Sequence, residues 1–148
     1  MKKVILGTFI ALALIGATAG EASLWLTDFS KAQAQAKADK KLVLLDFTGS
    51  DWCGWCMKLD REILATPEFK RFADEHLVLV KIDFPMHRPQ PADERARNAE
   101  LAARFQVQGY PTLVLLNAGA KPCGTLGYMR GGPGAFIDQL NSLIASQS

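Results

Sequence analysis

The sequence predicts an α/β protein with a central mixed sheet, in which parallel strands and a C-terminal β-hairpin are covered by helices on both faces. Two apolar runs rich in strand formers, "LVLLDFT" (42–48) and "LVLVKIDF" (77–84), flank a helical segment. That order is typical of a parallel pair joined by a crossover. A third run, "TLVLLN" (112–117), is followed by a turn and by "CGTLGYM" (123–129), which predicts the hairpin.

Helices are predicted before and after the first strand. The segment "LTDFSKAQAQAKADKK" (26–41) is rich in alanine, and Thr27 or Asp28 can cap its start. The segment "CMKLDREILATPEFKRFADEH" (56–76) has helical composition around Pro67. Because proline lacks an amide hydrogen, Pro67 marks either a break or the first turn of a new helix.

Two more helices are predicted in the second half of the chain. The segment "ADERARNAELAARFQV" (92–107) is charged and amphipathic, and we expect Ala99, Ala102 and Ala103 on its inner side. A Gly/Pro turn at 130–134 precedes a last helix with one apolar stripe, formed by Phe136, Leu140, Leu143 and Ile144. The 148 residues suit one domain with its own hydrophobic core.

The N-terminus predicts export. Lys2 and Lys3 precede an uncharged, largely apolar stretch from Val4 to Gly20, which is typical of a secretory signal peptide. We expect a signal at residues 1–19, with cleavage after Ala22 as an alternative, followed by a domain at 24–148 that is periplasmic or otherwise exported. An uncleaved membrane anchor is the competing interpretation, although the stretch is slightly shorter than the roughly 20 apolar residues of a spanning helix.

The charge balance disfavours nucleic acid as a partner. The whole chain has 17 basic and 15 acidic residues, and removal of the signal takes away two lysines and no acids. The exported domain is therefore close to neutral, whereas nucleic-acid and anionic membrane surfaces attract strongly basic proteins.

The three cysteines do not predict a structural staple or a metal site. Cys53 and Cys56 are too close in sequence for a bridge between them to constrain much of the unfolded chain. A structural zinc site takes about four ligands, and no second compact ligand pair accompanies these two. Met86 and His87 in "PMHRP" could suggest copper, but a polar loop is the favoured interpretation. Cys123 is a small buried residue, a further redox thiol or the site of an intermolecular bridge.

The segments "VLLDFTGSDWCGWCMKLD", "LVLVKIDF" and "QGYPTLVLLN", with the terminal helix, together resemble the thioredoxin superfamily, over most of residues 24–146. The resemblance is greatest to exported members with a Thr-Gly-Ser-x-Trp-Cys approach to the active site. It implies the thioredoxin fold and thiol–disulfide exchange on proteins, and it predicts no cofactor.

The position of the cysteines supports such chemistry independently. A thiol at a helix N-terminus faces unsatisfied amide hydrogens and the positive end of the helix dipole, and both favour the reactive thiolate. We expect Cys53 to be exposed and to attack, and Cys56, one turn further in, to be shielded and to resolve the mixed disulfide. Asp51 is a possible helix cap whose charge would oppose thiolate formation at Cys53.

Asp46 and Lys81 are candidates for proton transfer. A carboxylate inside an apolar strand is costly unless it is paired or neutral. In the family the matching aspartate helps to move the proton of the buried cysteine, and a lysine in the neighbouring strand can pair with it. One extra residue separates this strand from the cysteines here, which leaves open whether Asp46 reaches Cys56.

The resemblance also implies a substrate-binding surface. Pro111 is expected to follow a cis peptide bond, and the backbone of Tyr110 to pair with an extended substrate segment. Trp52 is expected to pack against the active-site loop, and Trp55 to be exposed as a docking surface. The alternatives are a trans proline at the start of a strand for Pro111 and a role in the core for the two tryptophans.

The favoured function is that of a monomeric reductase of protein disulfides supplied with electrons by a membrane donor. An isomerase, an oxidase and a non-enzymatic binding module are the alternatives. The electron donor is implied by the resemblance rather than by any residue pattern.

Overall fold

The computed structural model describes residues 24–146, so the predicted signal at 1–19 lies outside the described residues. One five-stranded sheet has the strand order β1-β3-β2-β4-β5. In chain order the elements are β1 (Trp25–Leu26), α1 (Phe29–Asp39), β2 (Leu42–Thr48), α2 (Gly54–Leu59), a π-helical turn (Asp60–Leu64), α3 (Pro67–His76), β3 (Leu77–Asp83), α4 (Ala92–Arg104), β4 (Thr112–Leu116), β5 (Pro122–Leu126) and α5 (Gly132–Ala145).

The sheet is mixed, as predicted. Strand β3 runs parallel to both β1 and β2, whereas β4 runs antiparallel to β2 and β5. In the β2–β3 register Asp46 lies opposite Lys81. The central position of β2 buries its residues on both faces, which explains its nearly uninterrupted apolar sequence.

A hydrophobic core fills each side of the sheet. On one side, Leu59, Ile63, Phe69 and Phe136 from the helical segments pack on Leu44 and Leu113. On the other side, Ala32 and Ala36 of α1 pack on Phe47, Val80 and Val114, and Leu101 and Phe105 cover the same core. The prediction of helices on both faces is confirmed.

The predicted starts of α1 and α3 are also confirmed. The Asp28 carboxylate caps α1 by accepting a hydrogen bond from the Lys31 amide. Thr66 caps α3, and Pro67 occupies its first turn. At residues 24–146 no helix is long and apolar enough to span a membrane.

Three details differ from the sequence prediction. The short edge strand β1 was not predicted, and α5 begins at Gly132, inside the predicted turn. On α4, Ala99 and Ala103 are exposed rather than inward-facing. The residue of α4 that is fully buried is Asn98, whose side-chain amide donates to the backbone oxygen of Asp83. The inner face of α4 was therefore predicted wrongly from its alanines, because its most buried position holds an asparagine whose amide is hydrogen-bonded.

Candidate active site

The two cysteines lie where β2 passes into α2. Cys53 is the N-cap residue of α2 and forms a disulfide with Cys56. The Cys53 sulfur also accepts a hydrogen bond of 3.2 Å from the Cys56 amide. This amide is one of the groups left unsatisfied at the start of a helix, and the same contact would stabilise a thiolate on Cys53.

Both cysteines are shielded in this disulfide form. Cys53 is 7% exposed and Cys56 is 4% exposed. The expectation that Cys53 is exposed is therefore wrong for the oxidised protein, since its sulfur is directed inward to the bond with Cys56. The shielding predicted for Cys56 is confirmed.

Asp83 fixes the loop that leads to the cysteines. Its carboxylate accepts hydrogen bonds from the amide and the hydroxyl of Ser50, at 2.9 and 2.6 Å, and pairs with Arg88. The Trp52 indole donates a bond of 2.7 Å to the backbone oxygen of Phe84. The loop after β2 is thus attached to the loop after β3.

Asp51 strengthens the same attachment and does not cap α2. Its two carboxylate oxygens accept from the amides of Met86 and His87, at 2.9 and 2.8 Å. The hydrogen bond from Met86 has the largest effect and lowers the pKa of Asp51, and the bond from His87 lowers it further against the opposing effect of burial. The predicted capping role is wrong because Cys53 occupies the cap and both Asp51 oxygens accept from the loop after β3.

Pro111 follows a cis peptide bond, as predicted. The preceding Tyr110 places its ring edge-on to Trp52 with centroids 5.9 Å apart, and 5.2 Å from Phe84. Trp52 therefore packs against the loops, as expected, although its side chain remains partly at the surface (39% exposed). It links the cysteine loop to the residues before β4.

Trp55, between the two cysteines, is 59% exposed, as expected for a docking residue. A group that sequence reasoning missed supports its ring. Tyr128 lies 5.3 Å from Trp55 and donates a hydrogen bond of 2.7 Å to Glu62. Lys58 lies over both rings and 3.4 Å from Glu62. We call Lys58, Glu62 and Tyr128 the Trp55 brace. Only the i, i+4 spacing of Lys58 and Glu62 could have suggested part of it.

Asp46 and Cys56 line one cavity. It has a volume of about 150 Å³ and is lined by Asp46, Thr48, Ser50, Cys56, Met57, Asp60 and Lys81. The extra residue in the loop therefore leaves Asp46 and Cys56 on a common space.

The Asp46 carboxylate is buried and half-satisfied. It is 2% exposed, and its Oδ2 lies 3.6 Å from the Lys81 ammonium, so the predicted pairing is confirmed. Its Oδ1 has no hydrogen-bond partner within the described residues. Burial raises the pKa of Asp46 to about 6, because loss of water outweighs the attraction of Lys81. Such a group can exchange a proton near neutral pH.

Cys123 lies in β5, where it is half-buried against the core that contains Leu59 and Phe136. Its sulfur is directed toward the backbone oxygen of Lys121, at 3.8 Å. Burial raises the pKa of the Cys123 thiol, which disfavours its thiolate. This environment fits the small buried residue better than the redox thiol.

The loop that contains Met86 and His87 is exposed. Across residues 24–146 there is no group of three or more His, Cys, Asp or Glu side chains arranged to hold a metal.

Comparison with known proteins agrees with this site. A model of the family described as thioredoxin-like matches residues 24–118. The chain belongs to the thioredoxin-like family.

Two curated relatives come from Chlamydia pneumoniae. A protein named disulfide bond reductase DsbH is 40% identical over 123 residues, which are 83% of this chain and 74% of the relative. A thioredoxin-related protein, DsbJ, is 30% identical over 84% of this chain but only 36% of its own length. These two relatives, together with the disulfide in a Cys-x-x-Cys motif, identify this chain as a thiol–disulfide oxidoreductase.

Solved structures place the fold in the same family. A structure described as DsbH oxidoreductase superposes with a TM-score of 0.78 at 40% identity, over 82% of this chain and 83% of that one. A thioredoxin from Thermus thermophilus superposes with a TM-score of 0.62 at 25% identity, over 83% and 88%.

Proposed function

We propose that this protein reduces disulfides in other proteins, with Cys53 as the attacking thiolate and Cys56 as the resolving thiol. The observation that carries the proposal is the Cys53–Cys56 disulfide at the start of α2, with Cys56 on the cavity of a buried carboxylate. A bridge that spans so little chain adds little stability, so its use is chemical.

The reaction is a transfer of two electrons to the substrate. The Cys53 thiolate attacks one sulfur of the substrate disulfide, and the other substrate sulfur leaves as a thiolate. Cys56 loses its proton and attacks the Cys53 sulfur, which releases the second substrate thiolate and leaves the Cys53–Cys56 disulfide. The Cys53–Cys56 disulfide seen in the structure is the product of this second step.

Asp46 is proposed as the base for the second step. Its Oδ1 has no hydrogen-bond partner in residues 24–146, and the Asp46 residue lines the same cavity as Cys56. The raised pKa of Asp46, about 6, makes it a better proton acceptor than an ordinary carboxylate. Lys81, paired with Asp46 across β2 and β3, would stabilise the charge that returns to Asp46 afterwards.

Substrate binding is proposed at the surface formed by Trp52, Trp55, Tyr110 and Pro111. The exposed ring of Trp55 offers apolar area beside the disulfide. The backbone of Tyr110, before the cis peptide bond, would pair with an extended substrate segment in the manner of an added strand.

Reduction is the proposed direction because the relative that shares 40% identity is named a disulfide bond reductase. Isomerisation is a second candidate. A protein disulfide-isomerase from Datisca glomerata is 37% identical over 70 residues, although these are 12% of that protein.

We further propose that the chain acts as an exported monomer, in the periplasm or an equivalent space, after loss of residues 1–19. Sustained reduction there needs a supply of electrons, for which a membrane protein is the proposed donor. The thiol:disulfide interchange protein DsbD of Vibrio cholerae, a relative 30% identical over 118 residues and 18% of its length, supports a partner of this chemical class.

Insulin reduction by the dithiol-coupled assay tests the proposal. Cys53→Ser and Cys56→Ser should each abolish turnover, whereas Cys123→Ser, the matched control, should keep it. In addition, Cys56→Ser should accumulate a mixed disulfide through Cys53. Turnover that survives either active-site substitution would rule out the proposed mechanism, and trapping that needs Cys56 instead would reverse the two roles.

A further inference from the structure

The Lys81 ammonium lies near two carboxylates, those of Asp46 and Asp60, and Asp60 has no assigned role. The ammonium lies 3.6 Å from Asp46 Oδ2 and 3.7 Å from Asp60 Oδ1. Asp46 comes from β2, whereas Asp60 begins the π-helical turn after α2. The two acids therefore reach one cation from different elements.

The two carboxylates differ sharply in exposure. The side chain of Asp46 is 3% exposed and that of Asp60 is 53% exposed. Both line the cavity that also contains Cys56. The cavity of about 150 Å³ has room for water molecules. Because Asp60 is exposed and Asp46 is buried, Asp60 lies at the solvent side of this cavity and Asp46 at its inner side.

We propose that Asp60 is a positioning residue that shares the Lys81 ammonium with Asp46 and thereby keeps Asp46 able to accept the proton of Cys56. If Lys81 belonged to Asp46 alone, the pair would be tighter and the Asp46 carboxylate would be a weaker base. Asp60 withdraws part of that attraction and adds a negative charge nearby. This inference rests on the proposed function of Asp46 and assigns a role to a residue outside it.

The charges that act on Asp46 are few. Lys81 and Asp83 face it from β3, Asp60 faces it from the π-helical turn, and Cys56 shares its cavity; Leu113 is its neighbour in β4. After burial, which is the largest influence, Lys81 lowers the pKa of Asp46 while Asp60 and Asp83 raise it. The contact between Asp60 and Lys81 and the effect of the Asp60 charge therefore both raise the pKa of Asp46.

The test follows the resolving step alone as a function of pH. Reduced protein is mixed with Ellman's reagent, an aromatic disulfide whose halves leave as coloured thiolates. Attack by Cys53 releases the first thiolate, and attack by Cys56 on the mixed disulfide releases the second. The rate of the second release is measured from pH 5 to pH 8.

Asp60→Asn should move the acid limb of this rate to lower pH by about half a unit or more, since Asp46 then holds its proton less tightly. Asp60→Glu should keep the wild-type profile, because it restores the charge. Asp93→Asn is the matched control, since Asp93 is an exposed carboxylate with its own partner, Arg97. Asp60→Ser, which also removes the charge, supplies the test if Asp60→Asn does not fold. Lys81→Met should move the limb to higher pH, because Lys81 lowers the pKa of Asp46.

The outcomes separate the two claims. An Asp60→Asn profile that superposes on that of the wild type, while Asp46→Asn loses the acid limb, overturns the role of Asp60 only. An Asp60→Glu profile that shifts like that of Asp60→Asn also overturns it, because packing rather than charge would be responsible. An Asp46→Asn profile identical to that of the wild type overturns the proposed base and this inference with it.

Discussion

Asp46 combines two environments in one carboxylate. One oxygen lies near Lys81, whereas the other has no hydrogen-bond partner within the described residues. The residue also lines the cavity that Cys56 lines. The sequence identified Asp46 because an acid inside an apolar strand is unusual. It could not show whether Asp46 reaches Cys56, since that depends on how the loop at 49–52 folds over the end of β2.

Asp51 illustrates what spacing could not predict. An acid two residues before Cys53 suggests a helix cap, but its oxygens accept from Met86 and His87. Those donors lie more than thirty residues away in sequence, in a loop without periodic pattern. The partner of a short polar side chain is set by tertiary contacts that sequence spacing does not record.

We expect Asp51→Asn to loosen the loop after β3. The two amides use different carboxylate oxygens, and an asparagine offers only one acceptor oxygen. Hydrogen exchange at the amides of Met86 and His87 should become several-fold faster, with Asp93→Asn as the control. Unchanged protection of both amides would show that the Asp51 bonds do not hold the loop.

The helical segment at 54–64, which is α2 and the π-helical turn, positions site residues beyond the cysteines at its start. Through Lys58, Glu62 and the bond from Tyr128, it fixes the exposed ring of Trp55, and through Asp60 it reaches Lys81. The helix itself was predictable from composition. Its contacts with Tyr128 were not, because Tyr128 lies in the irregular segment between β5 and α5, whose position has no local sequence signal.

Tyr128→Phe should weaken substrate binding at Trp55. Loss of the hydroxyl releases Glu62 and, through it, Lys58, so Trp55 becomes less ordered before binding. We expect KM for a protein disulfide to rise several-fold with kcat nearly unchanged. In a Trp55→Ala background the same substitution should add little; full additivity of the two effects would contradict the proposed brace.

At the scale of the whole molecule, the architecture was largely predictable. Each sheet-forming run in the sequence became a strand with bounds close to those expected, because buried strands have a strong apolar signal. The two-residue β1 was too short to give such a signal. The inner face of α4 was misjudged because Asn98, a polar residue, is its buried contact.

The buried acid should make the stability of the whole fold depend on pH. The pKa of Asp46 is about 6 in the folded protein, against an ordinary value of 3.8. Between these values the unfolded chain releases a proton that the folded chain retains, so the free energy of unfolding falls as pH rises from about 4 to about 6. The loss levels off above that range.

Asp46→Asn should remove this loss. In the oxidised form we expect the variant to be more stable than the wild type by about 3 kcal/mol at pH 7 and nearly equal at pH 4. Urea denaturation at the two pH values measures both numbers. A stability difference that is the same at pH 4 and pH 7 would mean that folding does not raise the pKa of Asp46.

The reduction potential of the Cys53–Cys56 pair tests the central claim most directly. The pair is equilibrated with mixtures of reduced and oxidised glutathione, in a Cys123→Ser variant so that no other thiol titrates. For a reductase we predict a potential near that of thioredoxin, about −270 mV. A potential near about −120 mV, typical of a strong oxidant, would contradict a reductive function.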